Sequence, residues 1–221
     1  MRGFRAALLA MALLATPLPA LAATLAIDIN GNGIAGVDVN NSFTIGWAVE
    51  VQTPVRVTAL GVWDEGSDGL EVDTPVGLWT AAGALLASTT VPSGSAADIA
   101  VPSVLGAGQW LFEDIADVDL APGVYVLGSV IIADVTVFRA NQEDVILDPA
   151  LANFDSAKFA FGANLQFPNS DASPGSDNAF FGPNFLLEPV ATPTPLPASL
   201  ALVGLGLLGW GVRRAIRRTS R

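Results

Sequence analysis

Residues 43–52 read FTIGWAVEVQ. Phe43, Ile45, Trp47, Val49 and Val51 alternate there with Thr44, Gly46, Ala48, Glu50 and Gln52. A period of two marks a strand with one buried and one wet face, because successive side chains leave a pleated backbone on opposite sides. Residues 55–63, VRVTALGVW, continue the pattern with Val55, Val57 and Trp63 on one side. Pro54 lies between the two runs, where a turn breaks the ladder. Further strands are expected at 76–80, 84–91, 110–115, 123–137, 157–163 and 179–187. The 123–137 run, GVYVLGSVIIADVTV, is apolar on both faces, as a central strand is. Ala82-Gly83 suits a hairpin turn, and the loops VPSGSAAD (91–98) and FPNSDASPGSDN (167–178) are polar and turn-rich. No amphipathic helix interrupts the series. Many short strands separated by turn signals predict a mainly β fold, a single antiparallel β-sandwich of jelly-roll type over residues 43–190.

Charge and missing residue types narrow what such a body can do. Its basic residues are Arg56, Arg139 and Lys158, against 21 acids between Asp28 and Glu188, a balance of −18. A surface this acidic repels a phosphate backbone, so no nucleic-acid partner is expected. The chain has no cysteine and no histidine. Disulfides, thiolate nucleophiles, zinc–thiolate sites, Ser-His-Asp triads and imidazole ligands are therefore excluded. Carboxylates, hydroxyls, one tyrosine and a few basic groups are left for catalysis. A protein without enzymatic activity is expected, and a carboxylate-based glycoside hydrolase is the remaining catalytic reading. That reading requires two acids about 5–10 Å apart across a cleft.

Both ends read as addresses. Arg2 and Arg5 precede the apolar run AALLAMALLATPLPALA, and Ala20-Leu21-Ala22 has the small-x-small pattern of a signal-peptidase site. Residues 1–22 are expected to be a signal peptide, cut between Ala22 and Ala23, with 23–42 an N-terminal segment before the sandwich. Pro17 and Pro19 argue against a retained membrane helix. At the other end, 191–221 runs from prolines through an apolar stretch to Arg213, Arg214, Arg217, Arg218 and Arg221. An apolar helix over 196–212 reaches only about 25 Å against a hydrocarbon core of about 30 Å. It is a marginal span, aided by arginines that snorkel to the headgroups. The positive-inside rule keeps those arginines cytoplasmic and puts the acidic body outside.

The tail, Pro193-Thr-Pro195-Leu196-Pro197-Ala198-Ser199 followed by LALVGLGLLGWGV and RRAIRR, resembles the PEP-CTERM sorting signal of Gram-negative bacteria. Leu196 stands where that pattern has glutamate. The resemblance implies handling by an exosortase-type membrane enzyme, a place in the cell envelope, outer surface or extracellular matrix, and association with exopolysaccharide and biofilm. Four further stretches are similar to an extracellular sandwich domain of the DUF4082-like group: VTALGVWDEGSDGL (57–70), VGLWTAAGALLASTTVPSG (76–94), LAPGVYVLGSV (120–130) and FFGPNFLLE (180–188). That likeness implies a fold and a setting without a reaction.

Three local patterns suggest ligands. Asp28-Ile-Asn30-Gly-Asn32-Gly33 begins like a calcium loop, but its twelfth position is Val39, where a bidentate acid is required, and a simple Asn-Gly turn is the better reading. Asp64, Asp68, Glu71 and Asp73 crowd one loop between strands; a structural calcium ion would relieve their repulsion, and a solvated acidic turn is the alternative. Trp47 and Trp63 fall on inward stripes. Trp79 alternates against Val76 and Leu78, so it is expected outside the core, where its indole could stack on a sugar ring or pack under a neighbouring loop.

Overall fold

The computed structural model describes residues 22–30, 34–37, 43–104, 106, 108–131, 136–141, 145–171 and 178–190. They form sixteen strands: β1 (Thr24–Leu25), β2 (Ile27–Ile29), β3 (Ile34–Val37), β4 (Phe43–Val51), β5 (Val55–Glu65), β6 (Thr74–Thr80), β7 (Leu85–Val91), β8 (Ile99–Pro102), β9 (Gly108–Leu120), β10 (Gly123–Ile131), β11 (Thr136–Asn141), β12 (Val145–Leu147), β13 (Leu151–Phe161), β14 (Ser170–Asp171), β15 (Asn178–Phe180) and β16 (Pro183–Pro189). There is no helix among the described residues. One main sheet runs β1-β16-β5-β9-β8 and the other β14-β13-β4-β10-β6-β7; two small sheets, β15-β11-β3 and β12-β2, complete the set. The chain crosses between the main sheets at β4 to β5, β5 to β6, β7 to β8 and β9 to β10, as in a jelly roll.

The core lies between the two main sheets. Trp47, Val49, Leu78 and Leu127 from one and Val57, Leu60, Trp110, Phe112 and Phe185 from the other belong to one buried cluster. Trp47 stacks nearly parallel on Phe185 with centroids 6.3 Å apart, and its Nε1 donates to the Pro183 carbonyl at 2.8 Å. One residue thereby supplies both apolar contact and a polar tie between sheets. Trp63 and Trp110 meet edge to face at 5.1 Å. Each fully buried large apolar side chain stabilises by about 1.5–3 kcal/mol.

The inward stripe of β4 is buried as its periodicity requires, but its wet face is not wet. Thr44, Gly46 and Ala48 are buried, while Glu50 stays exposed. The segment 162–169 folds back over this face. Thr44 Oγ1 accepts from the Gln166 amide at 3.1 Å and donates to the Asn164 carbonyl at 3.4 Å. Gly46, Gly128 and Gly77 stand side by side across three strands, a row without side chains. Pro168 and the Trp79 ring occupy the space. A Cβ on Gly128 would sit 3.1 Å from Pro168, and one on Gly77 would sit 2.6 Å from the indole.

Several strand limits differ from the periodic reading, each for a physical reason. The 123–137 run is two strands. β10 is central between β4 and β6 as expected, while β11 belongs to a small sheet beside β3 and β15. The last run, 179–187, is likewise divided between β15 and β16. β13 begins at Leu151 rather than 157, because register shifts around Phe154 break the alternation that would reveal it. The described residues within 23–42 pair with later strands. β1 pairs with β16, β2 with β12 and β3 with β11. Asn184, fully buried, accepts from the Ile27 amide at 3.3 Å and donates to its carbonyl at 2.9 Å, replacing a missing ladder partner. The compact unit closes at Pro189.

Candidate functional site

The loop between β5 and β6 turns its acids apart. Gly66, Ser67 and Gly69 take positive φ, which bends the backbone sharply. That bend brings the Gly69 amide under Asp64, donating to both carboxylate oxygens at 3.2 Å, and Gln109 Nε2 donates to Oδ2 at 2.7 Å. Asp64 is only 2 % exposed, so these bonds replace its hydration. Asp73 faces the other way. It accepts from the Ser93 amide at 2.8 Å, and that bond holds its carboxyl below the usual aspartate range. Asp68 and Glu71 are exposed. Asp64, Asp68, Glu71 and Asp73, expected around one ion, are not gathered at one point in this structure. No cluster of three or more acids able to hold a metal occurs among the described residues. Backbone and amide donors offset the negative charge at Asp64 and Asp73.

Asp28, first residue of the other calcium-like pattern, is a structural anchor. Its Oδ1 accepts from Ser103 Oγ at 2.6 Å, Trp110 Nε1 at 3.1 Å and the Ile29 amide at 2.8 Å, and its Oδ2 from the Val104 amide at 3.0 Å. A carboxylate with four donors needs no cation. It joins β2 to β9 and to the turn after β8. Gly31 to Gly33 and Val39 lie outside the described residues.

Trp79 is outside the main core, as its alternation indicates, but it is not available to a sugar. It is 4 % exposed and packs against Phe167, with ring centroids 6.2 Å apart. Of the two possibilities open for this indole, the covering loop is the one present. An aromatic group that the periodic reading passed over is more open. Phe161 is 70 % exposed and lies 5.0 Å from Phe43 and 5.4 Å from Phe159. The signal was available in register alone, since Phe43 stands opposite Phe161 at the paired ends of β4 and β13.

Surface charges pair locally. Arg56 Nε donates to Asp119 at 2.8 Å with Asp117 at 3.7 Å, and Lys158 bonds Asp171. Glu113 differs from the other acids. Loss of hydration on packing pushes its carboxyl above the ordinary glutamate range, although the Asp98 amide donates to it at 3.1 Å.

The remaining site residues belong to the ends of the chain. The cleavage pair has Ala22 and Ala23 exposed just before β1, and Ala20 lies outside the described residues, as do the rest of 1–21 and all of 191–221. The apolar helix at 196–212, the Pro195–Ser199 motif and the four arginines 213, 214, 217 and 218 therefore fall there too. For this tail a sequence comparison is decisive: the family model for the PEP-CTERM protein-sorting motif matches residues 193–218. The chain carries a PEP-CTERM sorting signal. Its match spans Pro195 to Ser199 and all four arginines, so Leu196 in place of glutamate does not remove the signal. A PEP-CTERM signal marks an exported protein, sorted by an exosortase-type enzyme toward the envelope or surface. No curated protein and no solved structure matches the chain, and the likeness of the body to the DUF4082-like group has no support beyond its stretches of sequence.

Proposed function

We propose that this chain is a non-enzymatic surface or matrix protein. Its acidic β-sandwich is delivered by the PEP-CTERM tail and resides with the exopolysaccharide of the cell envelope or biofilm. The observation that carries this reading is the sorting motif at 193–218, attached to a body without cysteine or histidine. Two features of the body agree with it. The buried carboxylates Asp28 and Asp64 are engaged by donors within the fold, which leaves neither placed to act as an acid or base on a substrate. Burial of Trp79 beneath Phe167 also removes the strongest candidate for a sugar-stacking indole, so a dedicated carbohydrate-binding module is the weaker reading.

The test is made in the producing host. Chains with and without residues 192–221 are followed by fractionation into envelope, matrix and medium, and the C-terminus of the intact form is read by mass spectrometry. Loss of the tail should move the protein into the medium, while the intact form should remain with envelope or matrix and end within or before 193–218. Unchanged envelope association of the truncated chain would overturn the sorting role. New reducing ends, on incubating the protein with host exopolysaccharide, would overturn the non-enzymatic one.

A further inference from the structure

Register brings the start and the finish of the sandwich to the same end of it. Thr24 of β1 stands opposite Leu187 of β16, and Pro189 stands opposite Val55. Ala23 and Val190 therefore leave the five-stranded sheet side by side. Val51 pairs with both Gly123 and Leu151, and Val55 with Leu120, so the turns 52–54, 121–122 and 148–150 lie at this end too. The β6–β7 hairpin joins them, since Thr80 pairs with Tyr125. The other end holds the acidic loop 64–73 and, through the pairing of Glu65 with Gly108, the β8–β9 turn with Val104. From Phe43 to Val51, β4 separates the two ends by about 27 Å at 3.4 Å per residue.

The tail decides what the first of these ends faces. From Pro189 to Leu196, where the apolar run begins, the chain reaches at most about 25 Å. With that run in a bilayer, the end that carries Ala23 and Val190 is held within that distance of the headgroups. Its turns suit the position. Gln52-Thr-Pro54, Ala81-Ala-Gly-Ala84, Ala121-Pro122 and Asp148-Pro-Ala150 include one acid, and its carboxylate accepts from Thr24 Oγ1 and the Ala150 amide. Glu50, Glu188 and Arg56 with Asp117 and Asp119 stand on the strands behind the turns. What protrudes is apolar. Leu85 is 54 % and Val124 44 % exposed, and Ala81, Ala82 and Ala84 are exposed between them. The Ala81 amide donates to the Val124 carbonyl at 3.3 Å, and the Thr80 amide to the Ala84 carbonyl at 2.9 Å. Phe167 adjoins the same hairpin, 2.9 Å from where a Cβ on Gly83 would stand. A patch of this kind loses contact with water on entering the membrane interface.

We infer that Ala81 to Leu85 and Val124 form an apolar foot that rests on the bilayer surface while the tail is anchored, with the acidic loop 64–73 turned outward. The inference rests on the sorting reading of the tail, whose apolar run enters the membrane before processing. The chain has no cysteine, so single substitutions accept a bimane label at one place each. Ala82→Cys, Leu85→Cys and Val124→Cys report on the foot, and Asp68→Cys and Val104→Cys on the far end, where Val104 is also apolar and exposed. Residues 23–221 with each label are added to vesicles of phosphatidylcholine and phosphatidylethanolamine containing a lipid with a headgroup nitroxide. The chains should float with the vesicles. Labels at 82, 85 and 124 should shift to the blue and lose most of their fluorescence to the nitroxide, while labels at 68 and 104 keep theirs. Leu85→Gln/Val124→Gln removes the apolar surface without adding charge, and it should restore most of the fluorescence at Ala82→Cys while flotation and melting stay unchanged. Flotation with equal quenching at all five positions overturns this inference alone and leaves the foot to a protein partner such as the processing enzyme. Quenching at Ala82→Cys that ignores the double substitution overturns it as well, because the apolar side chains then do not hold the contact. Chains that fail to float overturn the membrane reading of the tail and this inference together.

Discussion

A carboxylate held away from water requires donors on both oxygens, and at Asp28 they come from its own strand, from β9 and from the turn after β8. Ser103, Val104, Trp110 and Ile29 converge on it. Asp28→Asn replaces one acceptor oxygen by an amide that opposes the donors already there. The substitution should cost about 1–3 kcal/mol, the penalty for a buried group without its partner, and urea unfolding measures it. Glu113 allows a test by pH. Its folded-state pKa is raised, chiefly by lost hydration, so its contribution to stability is fully present below the unfolded glutamate value and is lost as pH rises through the raised one. Asp73 and Asp119 run in the opposite sense. Their pKa values are lowered by the Ser93 amide and by Arg56, so their contribution is present above the unfolded aspartate value and lost as pH falls through the lowered one. Glu113→Gln retains an oxygen for the Asp98 amide and removes the titration. It should melt slightly above the wild type at pH 7, by no more than about 0.5 kcal/mol for a surface change. The gap should close toward pH 4 in a melting series.

Among the elements, β4 and the segment 162–169 decide what the outer face of the six-stranded sheet can do. The glycine row Gly46-Gly128-Gly77 admits Pro168 and the Trp79 ring, and Thr44 fastens the segment by two hydrogen bonds. Trp79→Ala would leave a void between the sheet and Phe167. A loss of about 3–5 kcal/mol is expected, as for other buried aromatic truncations. The measurement is denaturant unfolding, and a change below about 1 kcal/mol would return Trp79 to the surface. The alternation of β4 revealed its strand but not its covering, because a period of two reports which side chains share a face and not what later folds onto that face. Bulges had a similar effect in β13, where shifts around Phe154 erased the period itself.

For the molecule as a whole, 21 acids against three bases in the body make self-repulsion the leading electrostatic term. Divalent cations should raise the melting temperature by screening. With Asp64 and Asp73 held apart by their own donors, calcium and magnesium at equal millimolar concentration should act alike. A rise with calcium that exceeds magnesium, and that Asp64→Asn/Asp68→Asn abolishes, would show that the loop closes on an ion after all.

The sorting tail was legible from sequence because its recognition depends on linear order: prolines, an apolar run, then arginines, found together at 193–218. The sandwich was legible because strand periodicity is local, and the exclusion of cysteine and histidine chemistry follows from composition alone. What sequence left open depends on partners distant along the chain. Asp64 meets Gln109, Asp28 meets Ser103 and Trp110, and Trp79 meets Phe167. Whether a carboxylate awaits a cation or already has its donors, and whether an indole is open or covered, is set by those long-range contacts. Composition and spacing place acids and aromatics in a segment; only the packed sheets determine which way each one turns.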